Sequence, residues 1–240
     1  MKVLAIVRAL NEQATVGAVV CELRAALPEA EILVVDDGST DATAAVAALA
    51  GARVERLPRN VGMCAAAQHG YRVALREGFD AAVQVDGDGQ HRGRDAAALV
   101  AALTRLEVSV VVGSRFLVHV TDGDRSTLPR RLGNRVLSRG ITALSGQRVT
   151  DATSGLRAVD RTGIAVFAAE YPRDDVEAQA LLVALRHGLR MAEVPVVMRA
   201  RRAGRSSITP ARSARYGWRA ARNLAGLAAG RAWRPQPKPA

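Results

Sequence analysis

The chain has 240 residues, 49% of them hydrophobic, which is enough to bury a complete α/β core as one domain. No apolar run approaches the roughly 20 residues of a membrane-spanning helix, and the N-terminus shows no signal-peptide pattern, so we expect a cytoplasmic protein. The net charge of +11 is localised, because 11 of the 34 basic residues and none of the 23 acidic ones lie in 194–240. Aromatic residues make up only 3% of the chain, so base-stacking surfaces are scarce and no nucleic-acid partner is expected.

The first half of the chain alternates between strand-like and helix-like segments. Short runs rich in Val and Ile predict buried parallel strands at 2–7, 31–35, 52–57, 81–85 and 108–112. The segments between them predict helices at 15–27, 41–49, 62–76 and 94–106. This order predicts a single-domain α/β fold with an open, doubly wound, mostly parallel sheet. Such sheets bind ligands outside the carboxyl ends of their strands.

The second half is less regular. It predicts a helix at 130–144, a turn-rich stretch at 151–155, a helix at 174–186 and a strand at 192–198. We expect residues 1–210 to form one domain and residues 211–240 to form a basic amphipathic helix followed by a Pro-rich, disordered tail.

The predicted C-terminal helix has a basic face. Arg212, Arg215, Arg219 and Arg222 recur at helical spacing, and Trp218 lies on another face. A basic amphipathic helix with an aromatic residue is typical of a membrane surface, which indicates peripheral attachment at the inner face of the cell membrane. A helix that packs on the domain with a solvated arginine face explains the same pattern.

Two carboxylates directly follow the predicted strand at 81–85. Asp86 and Asp88 are separated by Gly87 and followed by Gly89, and glycine lets the backbone turn tightly and approach a ligand closely. Mg²⁺ and Mn²⁺ usually take one or two protein carboxylates and leave their other positions to water and substrate phosphates. The pair is therefore a candidate site for a divalent cation that also holds a diphosphate. A solvated Asp-Gly turn explains these residues when they are taken alone.

A second acidic step, Asp36-Asp37, follows the predicted strand at 31–35. Ser39, Thr40 or Asp41 can cap the next helix. Asp36 or Asp37 at the strand end can accept hydrogen bonds from a base or a ribose. Capping explains the Ser-Thr-Asp run, but it does not require two adjacent carboxylates.

The chain carries these steps within a longer series of motifs. They are Ala-Leu-Asn-Glu at 9–12, Val-Asp-Asp-Gly-Ser-Thr-Asp at 35–41, Asn-Val-Gly at 60–62, Asp-Gly-Asp-Gly-Gln-His at 86–91, Gly-Ser-Arg-Phe at 113–116, Arg-Leu-Gly-Asn at 131–134, Thr-Asp-Ala-Thr-Ser-Gly-Leu-Arg at 150–157 and Glu-Val-Pro-Val at 193–196. In this order they resemble a family 2 glycosyltransferase over about residues 1–208. Within that family they are most similar to the dolichol-phosphate mannose synthase and polyprenyl-phosphate glycosyltransferase branch.

The resemblance implies a fold, a reaction and its partners. The fold is the Rossmann-like nucleotide-diphospho-sugar transferase fold of GT-A type, with residues 1–210 as the catalytic domain. The reaction is the inverting transfer of a hexose, mannose or glucose, from a GDP- or UDP-linked nucleotide sugar such as GDP-mannose to a polyprenyl phosphate. The implied cofactor is Mg²⁺ or Mn²⁺.

The resemblance also implies roles for individual residues. Those implied at the nucleotide sugar are Ala9, Leu10, Glu12, Val34, Asp36, Asp37, Asp86, Gly87, Asp88, Arg115 and Arg201. Asp88 and Gln90 are implied as metal ligands, with Asp86 beside them toward the ribose or sugar. Arg115 and Arg201 would meet the diphosphate or the acceptor phosphate, and Arg131 the acceptor phosphate. Two positions depart from the family pattern near the nucleotide pocket: Arg8 replaces a common proline, and Ser207 a common lysine.

The acceptor decides which further residues the reaction needs. A direct displacement releases a nucleoside diphosphate, which a metal ion and arginine stabilise electrostatically. A hydroxyl acceptor also needs a general base, for which Asp174, Asp175 and Glu177 are candidates. A lipid monophosphate is largely ionised at neutral pH and needs positioning by arginine instead. Transfer to a hydroxyl of a glycan or small metabolite is the alternative, and non-catalytic binding of a nucleotide sugar or nucleic acid is a more remote one.

Overall fold

One seven-stranded sheet forms the centre of the fold in a computed structural model that describes residues 1–117, 128–172 and 177–200. The strands are β1 (Val3–Ala9), β2 (Glu31–Asp36), β3 (Arg53–Arg56), β4 (Ala81–Asp86), β5 (Val110–Ser114), β6 (Arg157–Asp160) and β7 (Met191–Pro195). The helices are α1 (Val16–Ala26), α2 (Thr43–Leu49), α3 (Met63–Arg76), α4 (Gly93–Leu106), α5 (Leu128–Ser145), α6 (Arg161–Ala169) and α7 (Glu177–Arg186).

The strands lie in the order β3-β2-β1-β4-β6-β5-β7. Every neighbouring pair is parallel except those of β6, which runs antiparallel to both β4 and β5. The predicted α/β fold with a mostly parallel sheet is confirmed, and so are the predicted strands and helices of the first half. The sequence did not reveal β6 or α6, because β6 is only four residues long and begins and ends with charged residues.

Helices cover both faces of the sheet. Along β1, Leu4 and Ile6 join the apolar cluster beneath α3 and α6, whereas Ala5 and Val7 join the cluster beneath α1 and α4. A strand that is buried on both faces needs apolar residues at nearly every position, which explains its continuous apolar run. Among the described residues, no helix combines the length and apolar character needed to cross a bilayer.

Close packing of α4 against α1 sets the position of the loop that follows β4. Gly93 begins α4, and a Cβ atom there would lie 2.7 Å from the carbonyl carbon of Glu22 in α1. Because backbone atoms within a helix cannot easily move aside, this contact requires glycine. The loop that carries Asp88 therefore enters α4 at a fixed distance from α1.

We expect Gly93→Ala to lower the free energy of unfolding by about 1–3 kcal/mol, the usual cost of overpacking. Urea denaturation would measure it. Gly133→Ala is the matched control, because Gly133 is exposed on α5 and its Cβ would meet no atom of another described element within 4 Å. That variant should be stabilised by up to about 1 kcal/mol through helix propensity. Equal effects of the two substitutions would contradict the packing explanation.

Candidate active site

The carboxyl ends of β2, β1 and β4 lie side by side at one edge of the sheet. Ala9 of β1 is opposite Asp36 of β2, and Arg8 is opposite Asp86 of β4. The chain order reverses at β1, since β2 and β3 lie on one side of it and β4 on the other. A reversal of this kind forms the ligand crevice of open α/β sheets. The structure therefore brings the predicted Asp36 and Asp86 to one crevice.

The loop after β1 is hydrogen-bonded to the loop after β2. Asn11 N donates to Ser39 Oγ at 2.9 Å, and Asn11 Oδ1 accepts from Thr40 N at 2.9 Å. Glu12 N donates to Thr43 Oγ1 at 2.8 Å. Asn11 has a φ of 54°, a left-handed conformation that asparagine adopts more readily than most residues. These bonds hold the predicted nucleoside-binding segment, which includes Ala9, Leu10 and Glu12, as one wall of the crevice.

Asp36 and Asp37 have different surroundings. The Asp37 carboxylate accepts hydrogen bonds from the N–H groups of residues 61–62 at 2.7 and 2.9 Å, so it anchors that loop. Asp36 Oδ1 accepts from Ser39 N at 2.9 Å. Its Oδ2 is buried, lies 3.4 Å from Arg56 Nε, and accepts no hydrogen bond from any described residue. Since buried carboxylate oxygens normally have a donor, Asp36 Oδ2 keeps the capacity to accept a hydrogen bond from a ligand, and its predicted contact with a base or ribose stays a prediction.

Asp86 belongs to a chain of ion pairs. Arg8 Nε donates to Asp86 Oδ1 at 3.1 Å, and Arg8 Nη2 contacts the same oxygen. Arg8 Nη1 donates to Glu177 Oε1 at 2.7 Å, and Arg157 Nη2 donates to Glu177 Oε2. We call Asp86, Arg8, Glu177 and Arg157 the charge chain. It joins β4, β1, α7 and β6, and it occupies both carboxylate oxygens of the predicted base Glu177.

The charge chain favours the ionised forms of Asp86 and Arg8. Burial by itself would raise the pKa of Asp86, but the charge of Arg8, together with His91, outweighs burial and holds that pKa well below its usual value. Burial would lower the pKa of Arg8, yet Asp86 and Glu177 raise it above the ordinary arginine value. Removing one partner from such a buried pair typically costs about 3–5 kcal/mol, because the other charge is left uncompensated.

The loop after Asp86 contains the predicted metal ligands. Asp88 is 5% exposed, and its Oδ1 accepts from Gln90 N at 3.0 Å. Gln90 Nε2 donates to the Arg199 carbonyl at 3.1 Å, so this side chain also ties the loop to the segment after β7. In 1–117, 128–172 and 177–200, no group of three or more His, Cys, Asp or Glu residues could hold a metal by itself. Mg²⁺ takes one or two carboxylates and fills its other positions with water or phosphate oxygens, so the absence of such a group does not argue against a cation on this loop.

Arg115 makes a bidentate ion pair with Asp151. Its Nε donates to Asp151 Oδ2 at 2.7 Å, and its Nη2 donates to Asp151 Oδ1 at 2.8 Å and to Thr153 Oγ1 at 2.7 Å. The Asp151 side chain is fully buried in this pair and that of Arg115 is 10% exposed. Arg115 thus joins the end of β5 to the predicted turn at 151–155. Its predicted contact with phosphate stays a prediction.

The same turn is bound from two other elements. Glu193 of β7 accepts from the N–H groups of Thr150 and Asp151 at 2.8–2.9 Å. Asn134 of α5 donates to the Thr150 carbonyl at 2.8 Å. Arg131 lies one helical turn before Asn134, and its side chain is exposed. Arg131 therefore lies on the helix that borders this turn. Its predicted contact with an acceptor phosphate stays a prediction.

Some predicted residues are not brought to the crevice edge. Val34 is fully buried in β2, paired with β1 and β3 two residues before the strand ends. Asp174, Asp175, Arg201, Ser207 and the segment 211–240 lie outside the described residues.

Sequence reasoning missed the structural roles of Arg8, Arg157, Asp151 and Glu193. Arg8 carried a signal, because it is the charged residue within the otherwise apolar β1, and buried arginines are nearly always paired. Its partners could not be read from the chain, since they lie 78 and 169 residues away. Arg157 carried a weaker signal, at the start of a strand too short to recognise.

The fold and the crevice define a glycosyltransferase of GT-A type. Residues 5–166 match the sequence profile of the family described as "Glycosyl transferase family 2", which is more than half of the chain. The chain therefore belongs to glycosyl transferase family 2 and is a glycosyltransferase.

Relatives of this chain confirm the resemblance to the polyprenyl-phosphate branch. The chain is 30% identical over 219 residues to an undecaprenyl-phosphate mannosyltransferase from Micrococcus luteus, covering 87% of this chain and 88% of that protein. It is 31% identical over 222 residues to a polyprenol monophosphomannose synthase from Mycolicibacterium smegmatis, covering 87% and 81% respectively.

A solved structure confirms the fold. Glucosyl-3-phosphoglycerate synthase from Mycobacterium tuberculosis, in complex with Mn²⁺, UDP-glucose and phosphoglyceric acid, matches with a TM-score of 0.67. The match covers 95% of this chain and 80% of that one at 20% identity, so it supports the fold alone.

We expect Arg115→Ala and Asp151→Asn each to lower the free energy of unfolding by about 3 kcal/mol, because each leaves a buried charge or donor unpaired. The double variant should lose clearly less than the sum of the single losses, since both changes remove the same interaction. Urea denaturation of all four proteins gives the coupling. Additive losses would show that the two side chains stabilise the fold independently.

Proposed function

We propose that this chain is a metal-dependent, inverting hexosyltransferase that transfers a sugar, mannose or glucose, from a GDP- or UDP-linked donor to a polyprenyl phosphate. The observation that carries the proposal is the convergence of Asp36, Asp86 and Asp88 at one crevice of a family 2 glycosyltransferase. The names of the relatives from Micrococcus luteus and Mycolicibacterium smegmatis support a polyprenyl-phosphate acceptor.

The loop after β4 fits Mg²⁺ or Mn²⁺. Asp88 supplies a carboxylate beside the crevice, and Gln90 supplies an amide whose nitrogen already faces Arg199. Asp86 is the weaker ligand of the three, because Arg8 donates twice to its Oδ1. One or two carboxylates suffice for a cation that shares the diphosphate of its substrate. Such an ion neutralises the charge that develops on the departing nucleoside diphosphate.

The surroundings of Glu177 favour an acceptor that is already ionised. Both of its carboxylate oxygens accept hydrogen bonds from arginines, one from Arg8 and one from Arg157. A general base needs a free oxygen within reach of the proton that it removes. A phosphate monoester needs no such base and is bound by arginine. Arg131 is our proposed residue for that phosphate, with Arg115 and Arg201 as further proposals.

The exposed face of α5 supports contact with a membrane surface. Leu132 and Val136 are 61% and 60% exposed, four residues apart on one side of the helix. Arg131, Arg135 and Arg139 are exposed beside them, and α5 contains no acidic residue. Apolar and basic side chains in this arrangement suit anionic headgroups and the upper acyl region. We propose that residues 1–210 are the catalytic domain, that α5 and the basic segment 211–240 face the inner surface of the cell membrane, and that the protein acts there from the cytoplasm.

A donor and acceptor panel tests the proposed reaction. The protein is incubated with Mn²⁺, a set of nucleotide sugars and a short polyprenyl phosphate, and the products are identified by mass spectrometry. We expect one hexose on the lipid phosphate from GDP-mannose or a UDP-linked sugar. A neutral hydroxyl acceptor runs in parallel, and glycosylation of that acceptor alone would show that the alternative reaction is the correct one.

Asp88→Asn should reduce transfer by at least about 100-fold, because a bound divalent cation contributes several kcal/mol of leaving-group stabilisation. The loss should shrink as Mn²⁺ is raised, which initial rates across a Mn²⁺ titration would measure. Asp80→Asn is the control. Asp80 precedes the same strand at its opposite end, where its side chain accepts from Lys2 N at 2.7 Å, and the variant should keep wild-type rates. Full activity of Asp88→Asn would exclude a metal role for this residue.

The double variant Leu132→Ser with Val136→Ser should bind vesicles of phosphatidylglycerol at least about tenfold more weakly, because two apolar side chains no longer enter the bilayer surface. Cosedimentation with the vesicles measures this. Leu49→Ser is the control, since Leu49 is 89% exposed on α2, away from α5. If the α5 variant and the wild type sediment equally, α5 is not the membrane-facing helix.

A further inference from the structure

Arg8 occupies a buried position in β1 at which packing alone would favour an apolar side chain. The rest of β1 is apolar and buried on both faces, and the Arg8 side chain is 3% exposed. Replacing a buried ion pair by well-packed apolar residues is often neutral or stabilising. An apolar residue at this position could therefore stabilise the fold as well as the arginine does. The reason for an arginine must lie in the crevice at the end of β1.

The planar guanidinium of Arg8 bridges two carboxylates that belong to different parts of the site. One edge faces Asp86 on the donor side of the crevice, and Nη1 faces Glu177 at the start of α7. Arginine suits this task because its donors form a rigid fork, whereas lysine is a point charge. Arg157 completes the charge chain on the far side of Glu177.

The charge chain is electrically balanced, with two acids against two arginines. Its two acids are partly exposed, the Asp86 side chain by 25% and that of Glu177 by 14%, whereas the two arginines are buried. The turn at 151–155 closes over the pair, since a Cβ atom on Gly155 would lie 2.8 Å from Asp86 Oδ2 and 3.1 Å from Arg8 Nη2. Any larger residue at position 155 would crowd the Arg8–Asp86 ion pair, and glycine avoids this.

Without Arg8, the two carboxylates would face the crevice with Arg157 beside Glu177 and the His91 ring 3.4 Å from Asp86 Oδ2, and neither group bridges the two acids. An anion that approaches the sugar would then meet uncompensated negative charge, and Glu177 would keep an oxygen free to accept a proton from a hydroxyl. With Arg8 in place, both effects disappear.

We propose that Arg8 is a specificity-determining positioning residue: it cancels the charges of Asp86 and Glu177, so that the site admits an acceptor that arrives as an anion. The inference rests on the proposed function, because it concerns the acceptor of the same transfer. It assigns the choice between phosphate and hydroxyl to a residue that donates hydrogen bonds to two carboxylates of the protein itself.

Four proteins test the inference: wild type, Arg8→Gln, Glu177→Gln, and the double variant. Arg8→Gln should raise the KM for polyprenyl phosphate by about tenfold or more, and this change should exceed the changes in kcat and in donor KM. Glu177→Gln is the other single variant of the cycle, and it should not raise the KM for polyprenyl phosphate, because it removes a negative charge from the site. The double variant restores the charge balance and should recover most of the acceptor KM. A structural role of Arg8 would not produce that recovery.

Two further variants keep the test decisive. Arg8→Lys keeps the charge without the rigid fork, so its acceptor KM should rise above that of wild type by more than its kcat or donor KM changes. That result can be measured even if Arg8→Gln fails to fold. Arg53→Gln is the control for the loss of an arginine that pairs with several carboxylates. Arg53 bridges Glu31, Glu55 and Glu77 around β3. The variant should leave the KM values for donor and acceptor unchanged. Circular dichroism and thermal unfolding verify that each variant is folded.

The outcomes separate the two proposals. Wild-type transfer to the lipid phosphate, combined with a double variant no better than Arg8→Gln, would overturn the role of Arg8 and leave the proposed function standing. Wild-type transfer to a neutral alcohol but not to the phosphate would overturn both.

Discussion

The parallel register of β2, β1 and β4 is the constraint on which the whole candidate site depends. It places Ala9 opposite Asp36 and Arg8 opposite Asp86, so the predicted nucleoside-binding residues and Asp86 meet at one edge of the sheet. A slip of one residue would turn every side chain of β1 to the other face of the sheet. The alternation of Leu4 and Ile6 with Ala5 and Val7 between two apolar clusters prevents such a slip, and the core thereby sets the geometry of the polar site.

The two halves of the site are held together by different physical means. The half formed by the ends of β1 and β2 rests on apolar strands and on short hydrogen bonds between adjacent loops, such as that from Asn11 to Ser39. The half formed by the turn at 151–155 and the start of α7 rests on buried charge: Arg115 with Asp151, and the charge chain. Charged contacts are directional and costly to break, so they can position a turn and a helix end that few apolar residues support.

The charge chain is also not optimised for stability. Arg157 Nε and Nη1 are buried and find no acceptor among the described residues. Proteins tolerate such local violations mainly where function requires them. The chain links the strand that bears Asp86 to the helix that bears Glu177, so carboxylates from two separate elements share one guanidinium. This sharing is the physical basis of the role that we propose for Arg8.

The local sequence pattern was sufficient to predict the alternating strands and helices, the carboxylates at the ends of β2 and β4, and the family. Each of these depends on residues that are close in sequence. The tertiary structure decided the remainder. It inserted the antiparallel β6 between β4 and β5, gave Asp37 and Arg115 structural partners, and placed Arg8 between Asp86 and Glu177. Burial, register and pairing across 78 and 169 residues produce these contacts, and no local sequence pattern encodes them.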